Sequence, residues 1–261
     1  MNIRIYKVDA FAESLFSGNP AAVCPLEEWI GDKLMQKIAS ENNLSETAFF
    51  VPGENPINIR WFTPTTEVEL CGHATLASAH VLRKHLGYGD ASMVFESQSG
   101  PLGATDVGND RYTLDFPMDV LRPVADDLHW KQYFHQPILE AYRGTTDYIF
   151  RVASEQSLME ISPDFERLAE ADGRGFILTA EGSDCDYVAR CFYPQAGINE
   201  DPATGSSQTT LSTFWESKLN KVIFTARQLS RRGAYFETEI VEDRVLITGK
   251  VCDYLQGEIT V

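Results

Sequence analysis

Basic residues are in short supply. The 261-residue chain sets 22 Lys+Arg against 38 Asp+Glu, a formal net charge of −16. Sequence-independent nucleic-acid binding needs a basic face to displace counterions, and anionic membranes need one to dock on, so neither partner is expected. No run approaches the ~20 apolar residues that span a bilayer. The opening Met1–Phe11 alternates like a strand and lacks the apolar block of a signal peptide. Cysteines are few, odd in number and scattered (24, 71, 185, 191, 252), the usage of reduced thiols in a cytoplasm. No Gly-rich phosphate loop follows a strand, so a nucleotide cofactor has no support. Nor is a metal expected. His80 and His85 are five apart, not four, and Cys71-x-His73 offers two ligands with nothing nearby to complete a set. Ser206-Ser207 lack the G-x-S-x-G elbow of a serine hydrolase.

What is present is an internal echo. Arg60-Trp61-Phe62-Thr63-Pro64 reappears as Arg190-Cys191-Phe192-Tyr193-Pro194, an offset of 130 residues, half the chain. The same offset lays Ile57-Asn58-Ile59 on Tyr187-Val188-Ala189, and Ile38-Ala39 on Leu168-Ala169. A repeat of this length predicts two pseudo-equivalent domains rather than a solenoid of short units. We place them at 1–118 and 119–253, with 117–135 as the linker because Pro117, Pro123 and two aspartates break periodicity.

Alternation predicts strands over 2–9, 47–52, 57–63, 92–97, 111–116, 146–152, 175–179, 186–193, 221–225, 234–241, 244–249 and 254–261. Helical patterns cover 31–43, 72–87, 163–172 and 204–219. The stretch from Gly72 to Gly87 is apolar nearly all round, the mark of a helix buried on every side. A strand-rich half with one central buried helix predicts an α+β fold, each half a barrel-like mixed sheet wrapped around its helix.

The chemistry gathers at the starts of these two helices. Cys71-Gly72-His73 and Asp201-Pro202-Ala203 are repeat partners just ahead of them. A helix start carries unpaired N–H groups and partial positive charge, so each suits an anion. Facing each other across a domain cleft, the two would grip a small carboxylic acid through Gly72 and Gly205, although both glycines also suit tight strand-to-helix turns. Glu46 has no counterpart, since Phe176 stands at its +130 position. A carboxylate bordering Ala48, Phe49 and Phe50 is either a loop acid or a partly desolvated proton shuttle. His73 reads as a donor or a second acid/base, Asp201 as the cap of the helix beginning near Thr204, and Asn19 in Gly18-Asn19-Pro20 as a turn.

Six ordered motifs run along the chain: Val8-Asp9-Ala10-Phe11, Gly18-Asn19-Pro20-Ala21-Ala22-Val23, Ser45-Glu46-Thr47-Ala48-Phe49, Arg60-Trp61-Phe62-Thr63-Pro64, Glu69-x-Cys71-Gly72-His73-Ala74-Thr75 and Glu200-Asp201-Pro202-Ala203-Thr204-Gly205-Ser206. In these the sequence resembles the phenazine-biosynthesis PhzF-like isomerases, relatives of diaminopimelate epimerase. The resemblance implies two similar barrel-like domains with the site between them, and it allows the final strand 254–261 to return to the first. It assigns the catalytic glutamate to Glu46, with His73 and Asp201 assisting. Backbone at Gly72-His73 and Gly205-Ser206 would hold the substrate carboxylate, and Asn19 would line the cleft. It also implies a homodimer and a cofactor-independent proton transfer between carbons of a small carboxylic acid, dihydro-hydroxyanthranilate-like or amino-acid-like. In the epimerase relatives two cysteines supply the bases; here Cys71 pairs with Asp201 across the repeat, so Glu46 is expected to move the proton. Gln208 stands where the family run usually ends in a histidine. The competing reading is a non-catalytic metabolite-binding protein that kept the cleft.

Overall fold

The computed structural model describes residues 1–53, 55–124 and 127–261. In chain order the elements are β1 (Asn2–Ala10), β2 (Asn19–Pro25), α1 (Asp32–Asn42), β3 (Glu46–Phe50), β4 (Ile57–Phe62), β5 (Glu67–Val68), α2 (Gly72–His80), β6 (Ser92–Ser97), β7 (Gly100–Gly108) and β8 (Arg111–Pro117). There follow β9 (Arg122–Pro123), α3 (Asp127–Phe134), β10 (Glu140–Arg143), β11 (Asp147–Arg151), α4 (Glu155–Met159), α5 (Phe165–Glu170), β12 (Gly175–Glu181), β13 (Tyr187–Phe192), α6 (Ser207–Leu219), β14 (Ile223–Gln228), β15 (Ala234–Val241) and β16 (Arg244–Thr260). They form two compact units. One comprises Met1–Phe116 with Thr248–Val261, the other Pro117–Ile247.

In the first unit the strands run β1-β2-β3-β4-β6-β7-β8-β16, and β16 pairs back onto β1, closing a barrel. Helix α2 fills it. Every residue from Gly72 to His80 is buried, against β1, β2, β3 and β7. Ala74, Ala77 and Ala79 keep the helix thin enough for the sheet to close. Its buried hydroxyls bond back along the helix, Thr75 Oγ1 to the Cys71 carbonyl at 2.6 Å and Ser78 Oγ to the Ala74 carbonyl at 2.7 Å, so both are satisfied within it. Outside the barrel, Met35, Ile38 and Ala39 of α1 pack on Cys24, Phe49 and Phe62.

The second unit repeats the plan in the order β16-β15-β14-β13-β12-β11-β10-β9, with α6 as its buried helix. The parallel pairs β2–β3 and β4–β6 correspond to β11–β12 and β13–β14. Strand β13 lies 130 residues after β4 at both ends. Its aromatic core joins Trp130, Phe134, Tyr148, Phe150 and Phe176. Each motif arginine holds a carboxylate with two hydrogen bonds, Arg60 on Glu67 (both 2.7 Å) and Arg190 on Glu200 (2.7 and 3.0 Å), a planar fork that orients as well as binds.

Three local departures from the sequence reading have physical causes. β2 and β7 were not anticipated: Pro20 and Pro25 interrupt one, and Gly100, Gly103 and Gly108 dilute the other. The pieces 244–249 and 254–261 are one continuous strand, β16. The stretch 117–135 is not a bare linker, since it contains β9 and α3; positions 125 and 126 of it lie outside the described residues. Among the described residues, no helix is long and apolar enough to cross a membrane.

Candidate active site

Gly18 sets the first wall. Its φ is +66°, and a Cβ there would sit 2.2 Å from the Ala10 carbonyl oxygen, so only glycine lets the chain double back onto β1. Asn19 follows, fully buried, as the first residue of β2 rather than part of a turn. The parallel register that pairs Ala21 with Glu46 brings the entry of β3 beside it. The third wall is the first turn of α2, where Cys71 is extended (φ −147°) and His73 lies one residue past the start at Gly72.

These walls bring Asn19, Glu46, Gly72 and His73 together. Glu46 Oε2 lies 3.1 Å from His73 Nε2. On the other edge of the ring, His73 Nδ1 is 3.4 Å from Asn19 Nδ2 and 3.5 Å from Cys71 Sγ. Ser45 Oγ donates to Asn19 Oδ1 at 3.4 Å. Ser45 adjoins Glu46 in its motif, yet nothing in the pattern assigned it a partner. The Glu46–His73 approach is close but not aligned as a hydrogen bond, so both atoms are buried without one. Folded proteins rarely leave such groups, because each unsatisfied polar atom costs about 1–3 kcal/mol. Two such atoms in contact single this place out as the candidate site.

Burial alone would push the His73 imidazole down; its neighbours Cys71 and Glu46 outweigh that and raise it well above its ordinary 6.5. Burial, reinforced by the Glu46 carboxylate, pushes the Cys71 thiol up to about 11. Glu46, Cys71 and His73 could each offer a cation one atom, but burial holds a proton on the Cys71 thiol that a cation would first have to displace. The arrangement suits proton transfer better than metal binding: Glu46 can exchange a proton, and His73 can steady the negative charge that develops.

Asp201, Gly205 and Ser206 gather in the second unit. Asp201 does not cap the helix. Helix α6 starts at Ser207, its N-cap position Ser206 is already helical, and no side chain caps it. Asp201 Oδ2 instead accepts the Thr204 hydroxyl. Gln228, absent from the sequence reading, pins this turn. Its Oε1 accepts the Thr204 N–H at 2.9 Å and its Nε2 donates to the Asp201 carbonyl at 2.6 Å. Ser230 Oγ donates to the Pro202 carbonyl at 2.7 Å. Gln228 closes β14, 27 residues beyond Asp201, too far for local spacing to signal it.

Residues 8–257 match the family described as phenazine biosynthesis-like protein. The chain belongs to that family. An uncharacterized isomerase of Halalkalibacterium halodurans is 42% identical, over 99% of each chain. The crystal structure of a PhzF-family phenazine biosynthesis protein from Enterococcus faecalis superposes with a TM-score of 0.96 at 42% identity, covering 100% of both chains. More distantly, a hydroxyproline epimerase of Agrobacterium vitis shares the fold, with a TM-score of 0.60 at 12% identity over 99% of this chain and 92% of its own. The α+β architecture is thus that of the PhzF and epimerase folds, and the family is one of isomerases.

His80 and His85, five residues apart, converge in space. After His80 the helix continues as a π-turn over Val81–His85, whose i→i+5 bonding, with more residues per turn, brings residues five apart towards one face. Both imidazoles meet Asp253.

Proposed function

We propose that the protein is a cofactor-independent isomerase that moves a proton between two carbons of a small carboxylic acid, with Glu46 as the acid/base. The observation that carries this reading is the buried contact of Glu46 Oε2 and His73 Nε2 at 3.1 Å, without a hydrogen bond to satisfy either atom. In the reaction, a carboxylate oxygen of Glu46 takes the proton from a carbon next to an electron-withdrawing group. The C–H pair passes into a dienolate or enamine, and the resulting carboxylic acid returns the proton at another carbon, so substrate and product have the same formula. His73 stabilises the developing anion and Asn19 orients the ring, while the N–H groups that open α2 at Gly72 face the substrate carboxylate. By their place in the family motif, Asp201 is assigned to assist the proton transfer, and Gly205 and Ser206 to hold the substrate. The substrate is a small acid, dihydro-hydroxyanthranilate-like or amino-acid-like. A cytoplasmic homodimer completes the proposal, on the strength of the reduced-thiol composition and the family resemblance.

The test is to incubate small carboxylic acids from a cell extract in D2O with the wild-type protein and with Glu46→Gln. Mass spectrometry follows deuterium gain, and chromatography follows retention at constant mass, because a shielded carboxylate can return the same proton. A compound altered by wild type alone supports the reading. No compound altered by either protein, with ligands still bound, favours the non-catalytic binder.

A further inference from the structure

At the far end of α2 from His73, the π-turn brings three metal-binding side chains to one point. His80 Nε2 and His85 Nε2 lie 2.9 and 2.8 Å from the same oxygen, Asp253 Oδ1. Each residue offers one ligand atom, all within 4.8 Å of one another. The other carboxylate oxygen, Oδ2, is 3.0 Å from Lys84 Nζ, which also holds Asp110 at 2.9 Å. We propose that His80, His85 and Asp253 form a binding site for a divalent transition-metal ion of the zinc type, separate from the proton-transfer residues.

Three features carry this. Two imidazoles and one carboxylate are the donor set that such ions prefer. A tetrahedral ion with ligands at about 2.1 Å spaces them about 3.4 Å apart, so each imidazole–carboxylate distance needs to open by only about 0.5 Å. Asp253 is exposed enough, at 34%, to move back by that amount. The third feature is an orphan. His80 is fully buried, and its Nδ1 has no hydrogen-bond partner although Asp110 Oδ1 is 3.8 Å away. With the imidazole neutral and Nε2 donating to Asp253, Nδ1 carries no proton and faces a carboxylate. When Nε2 binds a cation instead, the proton moves to Nδ1 and can be given to Asp110. This is the carboxylate–histidine–metal relay that orients metal-bound imidazoles. Lys84 stays on Oδ2 and Asp110, leaving Oδ1 for the ion. His85 and Asp253 are part-exposed, which leaves a route for the ion to enter and a coordination position for water. The ion would tie the end of the buried helix to the last strand, β16.

The full-length protein is titrated with Zn²⁺ by calorimetry and with Co²⁺ by visible absorption, and its thermal midpoint is followed with and without Zn²⁺. The expected result is one ion per chain, a raised midpoint and the d–d bands of an N/O site. His85→Gln, chosen because His85 is less buried than His80, should weaken binding roughly 10-fold or more and abolish the shift. Lys84→Met should tighten it by removing a competing charge. Cys71→Ser should leave it unchanged, which separates this site from the Glu46–Cys71–His73 cluster. No binding by wild type, or binding that survives His85→Gln and disappears with Cys71→Ser, overturns the proposal.

Discussion

The turns ahead of α2 and α6 are built to one plan and finished differently. In the second unit the Thr204 hydroxyl is received by Asp201, and Gln228 takes the Thr204 N–H and covers the Asp201 carbonyl. In the first unit Glu46 Oε2 and His73 Nε2 touch without a hydrogen bond. The contrast extends to the neighbouring strands. Where the first unit opens β3 with Glu46, the second has Phe176 at the same place in the repeat, fully buried near Trp130 and stacked on Tyr148. The turn is thus used twice, once with Thr204 held by Asp201 and Gln228 and once with Glu46 Oε2 and His73 Nε2 left without a hydrogen bond. Satisfied networks stabilise and fix one conformation, whereas unsatisfied ones lower stability in exchange for reactivity.

Substitutions should separate the two halves by what they damage. The largest effect on chemistry is expected from Glu46→Gln, with turnover reduced by roughly 10²–10⁴-fold, the range for a lost general acid–base; the check is kcat on any acid found in the deuterium screen. The largest effect on stability should come from its counterpart. Phe176→Ala is expected to cost about 3–5 kcal/mol in chemical unfolding, with folded protein keeping its turnover. Gln228→Ala strands the Thr204 N–H in a buried turn and should cost about 1–3 kcal/mol by the same measurement. Cys71→Ser should change turnover only a few-fold, because burial keeps that thiol protonated. A Cys71→Ser protein as inactive as Glu46→Gln would move the base to the cysteine.

The repeat made most of the architecture legible. Arg60 and Arg190 hold Glu67 and Glu200 in their own halves, and β4 and β13 begin and end in register. Local pattern failed where backbone context outweighs composition. Pro20 sits inside β2 opposite Asp9, and the glycines of β7 pair with β6 and β8. At the site, the motifs brought Glu46, His73 and Asn19 to notice, but not their distances or the missing hydrogen bond, which depend on the packing of β2, β3 and α2. Gln228 and Asp253 act on partners far away in sequence. The His80–His85 convergence depends on a π-turn, and 3.6-residue periodicity hides it.

The Glu46–His73 pair can be tested before any substrate is known. A histidine whose pKa rises on folding adds stability that is complete below its unfolded value, near 6.5, and is lost as pH rises through its folded value. The stability difference between wild type and His73→Gln should therefore shrink as pH rises through that folded value. The most direct measurement is an NMR titration of the His73 imidazole in wild type and in Glu46→Gln. The account predicts titration well above 6.5 in wild type and a clear fall when the carboxylate is neutralised. Titration at or below 6.5 in wild type, unmoved by Glu46→Gln, would contradict it.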